Sequence, residues 1–190
     1  MIELFRQALR VQTFIEAQGW HACFIGGVAL QHWGEPRATR DIDLSLFTGF
    51  GGEAPFVDRL LRSFPARVED ARRFALDHRV LLLRTAAPSA VDVDIALAAL
   101  PFEDEMISRA IRVEFQPGVK LRICSAEDLL VMKAFAHRLQ DRADVLGIAR
   151  RRGPELDWSA IRTRLEPLAA VKDEPDIMAS VAQLEAEFGR

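Results

Sequence analysis

A chain of 190 residues that is 49% hydrophobic and carries a formal net charge of −3 can form one packed domain with a small appendage, and it is too apolar to be disordered. It shows neither an apolar run long enough to span a bilayer nor a secretory pattern at its start, and its slight acidity does not by itself require nucleic acid as a partner. Cys23 and Cys124 stand alone, without metal-ligand or disulfide spacing, so the composition predicts a cytoplasmic protein with no membrane contact.

The first two thirds of the chain alternate short helical and extended patterns. The continuous apolar run from Val80 to Leu83 is typical of a central strand. Apolar periodicity and the positions of glycine and proline predict, in chain order, a helix over 2–18, a strand over 21–25, a helix over 26–34, a strand over 41–47, a helix over 55–64, strands over 72–77, 79–85 and 91–97, a helix over 102–109, and strands over 111–115 and 119–123.

From Ser125 onward the pattern is helical. Ser125 fits a helix N-cap, with the acidic Asp128 at the third helical position. The spacing of apolar residues predicts helices through 129–139, up to 152, over 157–170 and over 175–188. We therefore predict an α/β (α+β) domain over residues 1–124, followed by a small C-terminal helical unit over residues 125–190.

Asp41 and Asp43 are the most informative residues of the chain. They alternate with Ile42, Leu44 and Leu46 in a predicted strand, where every second side chain shares a face, so the two carboxylates should project together. Two carboxylates on one face repel each other and require a cation to stay ionised. The upstream pair Gly26-Gly27 lies where a strand passes into a helix, and its backbone N–H groups can approach an anion.

A second acidic strand follows in the sequence Val91-Asp92-Val93-Asp94. If this strand lies beside the one that carries Asp41 and Asp43, it supplies the third carboxylate that a two-metal site requires. Asp92 and Asp94 point the same way by alternation, so their spacing does not choose between them. Glycines that admit a phosphate, followed by carboxylates that bind metal, are typical of phosphoryl or nucleotidyl transfer.

These segments resemble the nucleotidyltransferase superfamily with a DNA polymerase β-type palm and, within it, the nucleotidyl transferase AbiEii/AbiGii toxin family. The resemblance covers about residues 20–150. It rests on five segments in order: Gly26-Gly27, Arg37–Asp43, Val93-Asp94 with the following Leu100–Glu103, Ser125–Lys133 and Asp141–Asp144. It implies the nucleotidyltransferase fold, a mixed β-sheet flanked by helices. One departure is Gly27, where many members have serine.

The resemblance also implies a role for particular residues. The catalytic metal ligands for Mg²⁺ or Mn²⁺ would be Asp41, Asp43 and Asp94, with Asp94 preferred to Asp92 because of its distance from the Pro101-Phe102 segment. The nucleotide-binding residues would be Gly26, Gly27, Arg40, Lys133 and Asp144. Two structural alternatives stay open: Lys133 can instead extend past the core, and Arg37 and Arg40 can pair with Asp41 or Glu35.

The implied activity is the transfer of a nucleoside monophosphate from an NTP to a hydroxyl acceptor. The family implies an acceptor on tRNA, on another RNA or on a protein, and a role as the toxin of a bacterial toxin–antitoxin system with a cognate antitoxin. Two alternatives remain. A nucleotide-binding, antitoxin-like or scaffold protein would keep the fold without turnover, and a small-molecule transferase of the aminoglycoside-modifying type would keep the chemistry with another acceptor.

Overall fold

The computed structural model describes residues 1–172, 174 and 176–190. In chain order its elements are α1 (Ile2–Ala17), β1 (Ala22–Phe24), α2 (Gly26–Trp33), β2 (Asp41–Phe47), α3 (Glu53–Leu61), α4 (Ala71–His78), β3 (Val80–Arg84), β4 (Asp92–Ala98), α5 (Pro101–Arg109), β5 (Ile111–Gln116), β6 (Val119–Ile123), α6 (Ala126–Ala136), α7 (Leu139–Arg152), α8 (Trp158–Lys172) and α9 (Asp176–Phe188). A single 3₁₀ turn, Gly153–Glu155, follows α7.

The chain divides into two compact units. The first, which contains the sheet, comprises residues 1–28 and 38–124, and the second comprises residues 29–37 and 125–190. Residues 29–37 therefore group with the C-terminal helices, although they precede most of the sheet in sequence. Of the described helices, none combines the length and the apolar character needed to cross a membrane.

The first unit is built on a six-stranded sheet in the order β3-β4-β2-β1-β6-β5. The pairs β2–β4 and β1–β6 are parallel, and the pairs β3–β4, β1–β2 and β5–β6 are antiparallel. The predicted mixed sheet flanked by helices is confirmed. The N-terminal helix α1 buries an apolar stripe that includes Leu4, Ala8, Val11 and Ile15, as the spacing of a core-facing helix requires.

The two acidic strands are neighbours in the sheet, which is the condition that the metal-site prediction required. β2 and β4 pair in register over seven residues, with Asp41 opposite Asp92 and Asp43 opposite Asp94. The intervening aliphatic residues of both strands, such as Ile42, are at most 2% exposed and form the core side of the sheet. Alternation therefore directs the four carboxylates to the other face.

The segment 72–77 was expected to be a strand, and that expectation is wrong. It lies within α4 (Ala71–His78). Ala71 and Ala75 are the buried residues of α4, whereas Arg73, which would share their face in a strand, is exposed. α4 contacts β3 within this unit, and Arg72 and Arg73, which lie between the two alanines, are exposed.

The apolar run in β3 does not mark a central strand, because β3 stands at one end of the strand order. Leu81 and Leu83 are buried, whereas Val80 and Leu82 are only partly covered. The outer edge of β3 is shielded by an isolated bridge from Ala66 to Leu83 and by the backbone hydrogen bond from Arg67 N–H to the carbonyl of Leu82, at 3.0 Å. Covering an edge in this way lets an edge strand carry a nearly continuous apolar sequence.

The second unit contains helices α6 to α9. Ser125 caps α6, as expected: its hydroxyl accepts the backbone N–H of Asp128 at 3.1 Å and donates to the carboxylate of the same residue. The following helix is apolar on most sides and buries Leu129, Leu130 and Val131. A helix that is apolar all round belongs in the centre of a bundle, and α7 and α8 both pack against α6.

Candidate active site

Four carboxylates share one face at the start of β2 and β4. Asp41 is exposed, and Asp43, Asp92 and Asp94 are half-buried. Their backbone positions follow directly from the paired register of the two strands. Four like charges on one sheet face repel one another, and partial burial strengthens that repulsion. The surrounding residues have to compensate for it.

Asp43 lies against the double glycine. The backbone N–H of Gly27 donates to Oδ2 of Asp43 at 3.2 Å, so the start of α2 stabilises this carboxylate. A Cβ atom on Gly26 would lie 2.0 Å from the same oxygen, and Gly26 has a φ of +55°, a conformation that side chains rarely adopt. A residue other than glycine at position 26 would displace the carboxylate or the turn.

The side chain of Thr39 lies between Gly27 and the carboxylate of Asp41. Its hydroxyl donates to Oδ1 of Asp41 at 3.1 Å, and a Cβ atom on Gly27 would lie 2.2 Å from that hydroxyl oxygen. The contact gives a physical reason for the glycine at position 27, where the resemblance would allow a serine. Thr39 therefore orients Asp41, a role that the sequence analysis did not assign to it.

Arg67 is the site residue that the sequence analysis missed. Its Nη1 lies 2.9 Å from Oδ2 of Asp92, and its Nη2 lies 2.6 Å from Oδ1 of Asp94, so one guanidinium bridges the two acids of β4. Arg84 pairs with Asp92 as well, at 2.6 Å and in a more exposed position. Arg67 comes from the segment that covers the edge of β3, and no motif or spacing in the sequence links it to Asp94.

The two acids of β4 differ in their electrostatic environment. Burial raises the pKa of Asp94 above its ordinary value; the positive charge of Arg67 lowers it, and the charges of Asp41 and Asp92 raise it further. Asp92 shows the opposite result, because the hydrogen bond from Arg84, reinforced by Arg67, lowers its pKa despite burial. Asp94 is thus the acid of this face whose charge is less fully compensated.

Whether this face can bind a divalent cation depends on the type and the spacing of its donor groups. Across the described part of the chain, no three side chains of His, Cys, Asp or Glu stand close enough together to hold a metal ion. The chemistry of the donors does fit, because Mg²⁺ takes carboxylate oxygens. The guanidinium that bridges Asp92 and Asp94 is a stand-in cation on the same face, and the glycine turn leaves room for the Asp43 carboxylate.

In the second unit, Lys133 and Asp144 form part of a buried ion network. The Nζ atom of Lys133 lies 3.1 Å from Oδ1 of Asp141 and 2.7 Å from Oδ2 of Asp144. Arg37 binds both oxygens of Asp144, at 3.0 and 3.1 Å, and Arg138 binds Asp141 at 2.6 Å. The lysine is only 7% exposed, so it ends on carboxylates within the unit and does not extend past the core to solvent.

These contacts control the ionisation of the network. Burial raises the pKa of Asp144, but the hydrogen bonds from Arg37 and Lys133 and the charge of Lys133 outweigh it, so the net pKa falls below the usual value. The pKa of Asp141 is lowered in the same way by Arg138 and Lys133. Because the folded-state pKa values are lowered, the network stabilises the protein above the ordinary pKa of aspartate. This contribution is lost as the pH falls through the lowered values.

The predicted site residues therefore fall into two groups. Gly26, Gly27, Asp41, Asp43 and Asp94 lie in the first unit, and its two acidic strands and glycine turn bring them onto neighbouring backbone positions. Arg40 also belongs to this unit and is exposed. Lys133 and Asp144 belong to the second unit, where they bind each other.

Comparisons with known proteins bear on the family and the fold of this chain. The model of the family described as "Nucleotidyl transferase AbiEii toxin, Type IV TA system" matches residues 14–166. A crystal structure of an antigenic nucleotidyltransferase-like protein from Paracoccidioides brasiliensis is 16% identical, with a TM-score of 0.56, over 96% of this chain and 93% of that chain. A solution structure of the antibiotic-resistance factor ANT(2'')-Ia is 18% identical, with a TM-score of 0.40, over 98% and 90% of the two chains. No curated protein matches the chain in sequence.

The glycine turn gives a first testable prediction. Gly26→Ala should destabilise the protein by more than Gly19→Ala, because both glycines have positive φ but an added Cβ meets nothing within 4 Å at Gly19. We expect a loss of about 1 kcal/mol for Gly19→Ala from backbone strain alone, and at least twice that for Gly26→Ala. Denaturant unfolding of the two variants measures the difference. Equal losses would show that the turn does not depend on the close approach of Asp43.

The buried network gives a second prediction. Lys133→Met should destabilise the protein by about 3 kcal/mol, because it removes the buried cation that two carboxylates share and leaves each of them with one arginine. Lys120→Met is the matched control, since Lys120 is exposed and its loss should change the free energy of unfolding by less than about 0.5 kcal/mol. Urea unfolding at neutral pH measures both values. A Lys133→Met variant as stable as wild type would contradict a structural role for this ion pair.

Proposed function

This chain belongs to the AbiEii nucleotidyl transferase toxin family over residues 14–166, and we propose that it is a divalent-metal-dependent enzyme that transfers a nucleoside monophosphate from an NTP to a hydroxyl acceptor. The observation that carries the metal assignment is the register of β2 and β4, which sets Asp43 opposite Asp94 with Asp41 on the same face. The hydrogen bond from the glycine turn to Asp43 supports it.

The residues of the sheet unit have distinct roles in this proposal. The carboxylates of Asp41, Asp43 and Asp94 would hold Mg²⁺ or Mn²⁺ once their side chains converge on the ion. The bound cation would neutralise the triphosphate, make the acceptor hydroxyl easier to deprotonate and stabilise the departing pyrophosphate. Thr39 keeps Asp41 oriented through its hydroxyl, and Gly27 does the same for Asp43 through its backbone N–H.

The nucleotide contacts are proposed from the resemblance and from local chemistry. Gly26 and Gly27 bring backbone N–H groups close to the triphosphate, and the exposed guanidinium of Arg40 supplies positive charge next to Asp41. For Lys133 and Asp144 of the second unit, a nucleotide contact is implied by the resemblance alone. Lys133 on α6 pairs with Asp141 and Asp144 on α7, and these ion pairs support a role in fixing the orientation of the two helices.

The biological setting follows from the family. The matching family is described as the toxin of a type IV toxin–antitoxin system, so we propose a bacterial, cytoplasmic toxin that has a cognate antitoxin. The acceptor is proposed to be the hydroxyl of a tRNA or other RNA, with a protein hydroxyl as the alternative. ATP is included among the NTP donors to be tested, together with the other three nucleotides.

Substitution of the paired acids tests the catalytic proposal. Asp41→Asn and Asp43→Asn should each lower the transfer rate by at least about 100-fold, because catalysis of this kind depends on charge stabilisation at the reacting phosphate. Asp58→Asn is the control, because Asp58 forms a partly exposed ion pair with Arg72 between α3 and α4. The assay follows label from each of four α-labelled NTPs into total tRNA, cell protein or an aminoglycoside, with Mg²⁺, Mn²⁺ or EDTA.

The outcomes of this assay separate the candidate functions. Labelled product that survives EDTA, or that is equally abundant with wild type and both variants, contradicts the catalytic proposal. A second candidate, nucleotide binding without turnover, applies if Arg67 stays on Asp94 when metal and nucleotide are added, since that carboxylate is then not available to a metal. That candidate predicts that NTPs raise the melting temperature while no acceptor becomes labelled.

A further inference from the structure

We propose that Arg67 is a positioning residue that holds Asp94 when no divalent cation is bound and that competes with the cation for this carboxylate. The inference rests on the proposed metal dependence and goes beyond it, because it assigns a regulatory contact to a residue outside the metal ligands. It predicts that binding of the metal requires the guanidinium to leave Asp94.

The contacts of Arg67 place its charge on the carboxylate that the metal would use. Its two Nη atoms reach different acids, Asp92 at 2.9 Å and Asp94 at 2.6 Å, so a single side chain spans two successive positions of the same strand face. The side chain is 20% exposed, and Asp94 is 33% exposed, so the pair is only partly screened by water.

The backbone of Arg67 is fixed, which leaves the side chain as the movable part. The N–H of Arg67 donates to the carbonyl of Leu82 at 3.0 Å, and the N–H of Arg84 donates to the carbonyl of Pro65 at 2.9 Å. These bonds attach the segment around Arg67 to β3, the strand that pairs with β4 beside Asp94. The guanidinium can therefore leave Asp94 by rotation about its own side-chain bonds.

The guanidinium of Arg67 does not use all of its hydrogen-bond donors. The Nε–H of Arg67 is buried and has no hydrogen-bond partner among the described residues. An unpaired buried donor is unfavourable, so the geometry that serves the two acids leaves one donor of the guanidinium without compensation. This cost opposes the ion pairs and favours release when another cation takes over the carboxylate.

The guanidinium of Arg67 and a divalent ion cannot both contact Asp94, because both are positively charged. The sheet face carries four carboxylates, on β2 and β4, and Arg67 and Arg84 are the guanidinium groups that pair with the acids of β4. A divalent ion on Asp43 and Asp94 would stand beside the guanidinium of Arg67, and like charges at such short range repel strongly outside bulk water. Arg84 differs because it contacts Asp92 alone and is exposed.

The first experiment measures Mn²⁺ binding to the full chain by calorimetric titration. Wild type is compared with Arg67→Gln, Arg67→Lys and Arg84→Gln, after the melting temperature of each metal-free protein has been recorded. Arg67→Gln should bind Mn²⁺ about tenfold more tightly than wild type, because a competing like charge is removed. Arg67→Lys, which keeps the charge, and Arg84→Gln, which removes an equal charge from Asp92, should each stay within about threefold of wild type.

The other outcomes of the Mn²⁺ titration contradict either the role of Arg67 or the metal dependence. Weaker Mn²⁺ binding by Arg67→Gln would show that Arg67 holds Asp94 in place for the metal, and equal binding by all four proteins would show that it does not compete. Both results leave the proposed function standing. The absence of Mn²⁺ binding in all four proteins would overturn the metal dependence itself, and the role of Arg67 with it.

A second experiment needs no loss of the ion pair, so it stays decisive if Arg67→Gln does not fold. The protein is labelled with ¹⁵N-arginine, and Arg67→Lys assigns the side-chain Nε–H signal of Arg67. Addition of Mg²⁺ should shift this signal and leave that of Arg84 in place. A signal of Arg67 that does not change at saturating Mg²⁺ would overturn the proposal.

Discussion

Repulsion among the carboxylates of two paired strands is the constraint on which the rest of the site depends. The register that sets Asp43 opposite Asp94 also sets Asp41 opposite Asp92, so one sheet face gathers four like charges. Each charge has its own compensation: a backbone N–H for Asp43, a hydroxyl for Asp41 and guanidinium groups for the acids of β4.

The same constraint explains the turn between β1 and α2. Glycine at position 26 is required by a positive φ and by an approach of Asp43 that leaves no room for a Cβ atom. Glycine at position 27 is required by the hydroxyl that orients Asp41. The two glycines therefore serve the carboxylates of β2 directly, in addition to any phosphate that their N–H groups approach.

Much of the sheet unit could be predicted from local patterns, as could the shared face of the acids within each acidic strand. β2 begins and ends where its alternation does, and the alternation of β4 showed which of its residues share a face. Local patterns gave wrong or no predictions where contacts with segments distant in sequence determine the structure. The segment predicted as a strand over 72–77 is a helix, α4, which buries Ala71 and Ala75 and contacts α3 and β3. The edge position of β3, and the presence of Arg67 beside Asp94, follow from how the segment around Ala66 covers that strand. No spacing in the sequence encodes these contacts.

The central proposal is that this acidic face binds a divalent cation and that the guanidinium of Arg67 pairs with Asp94 until the metal arrives. A crystal structure of the full chain with Mn²⁺ and a non-hydrolysable NTP, located by the anomalous signal of manganese, tests it most directly. We expect a manganese peak in contact with the carboxylates of Asp43 and Asp94, with the guanidinium of Arg67 withdrawn from Asp94. A nucleotide bound without manganese at this face, while Arg67 still bridges Asp92 and Asp94, would contradict the claim.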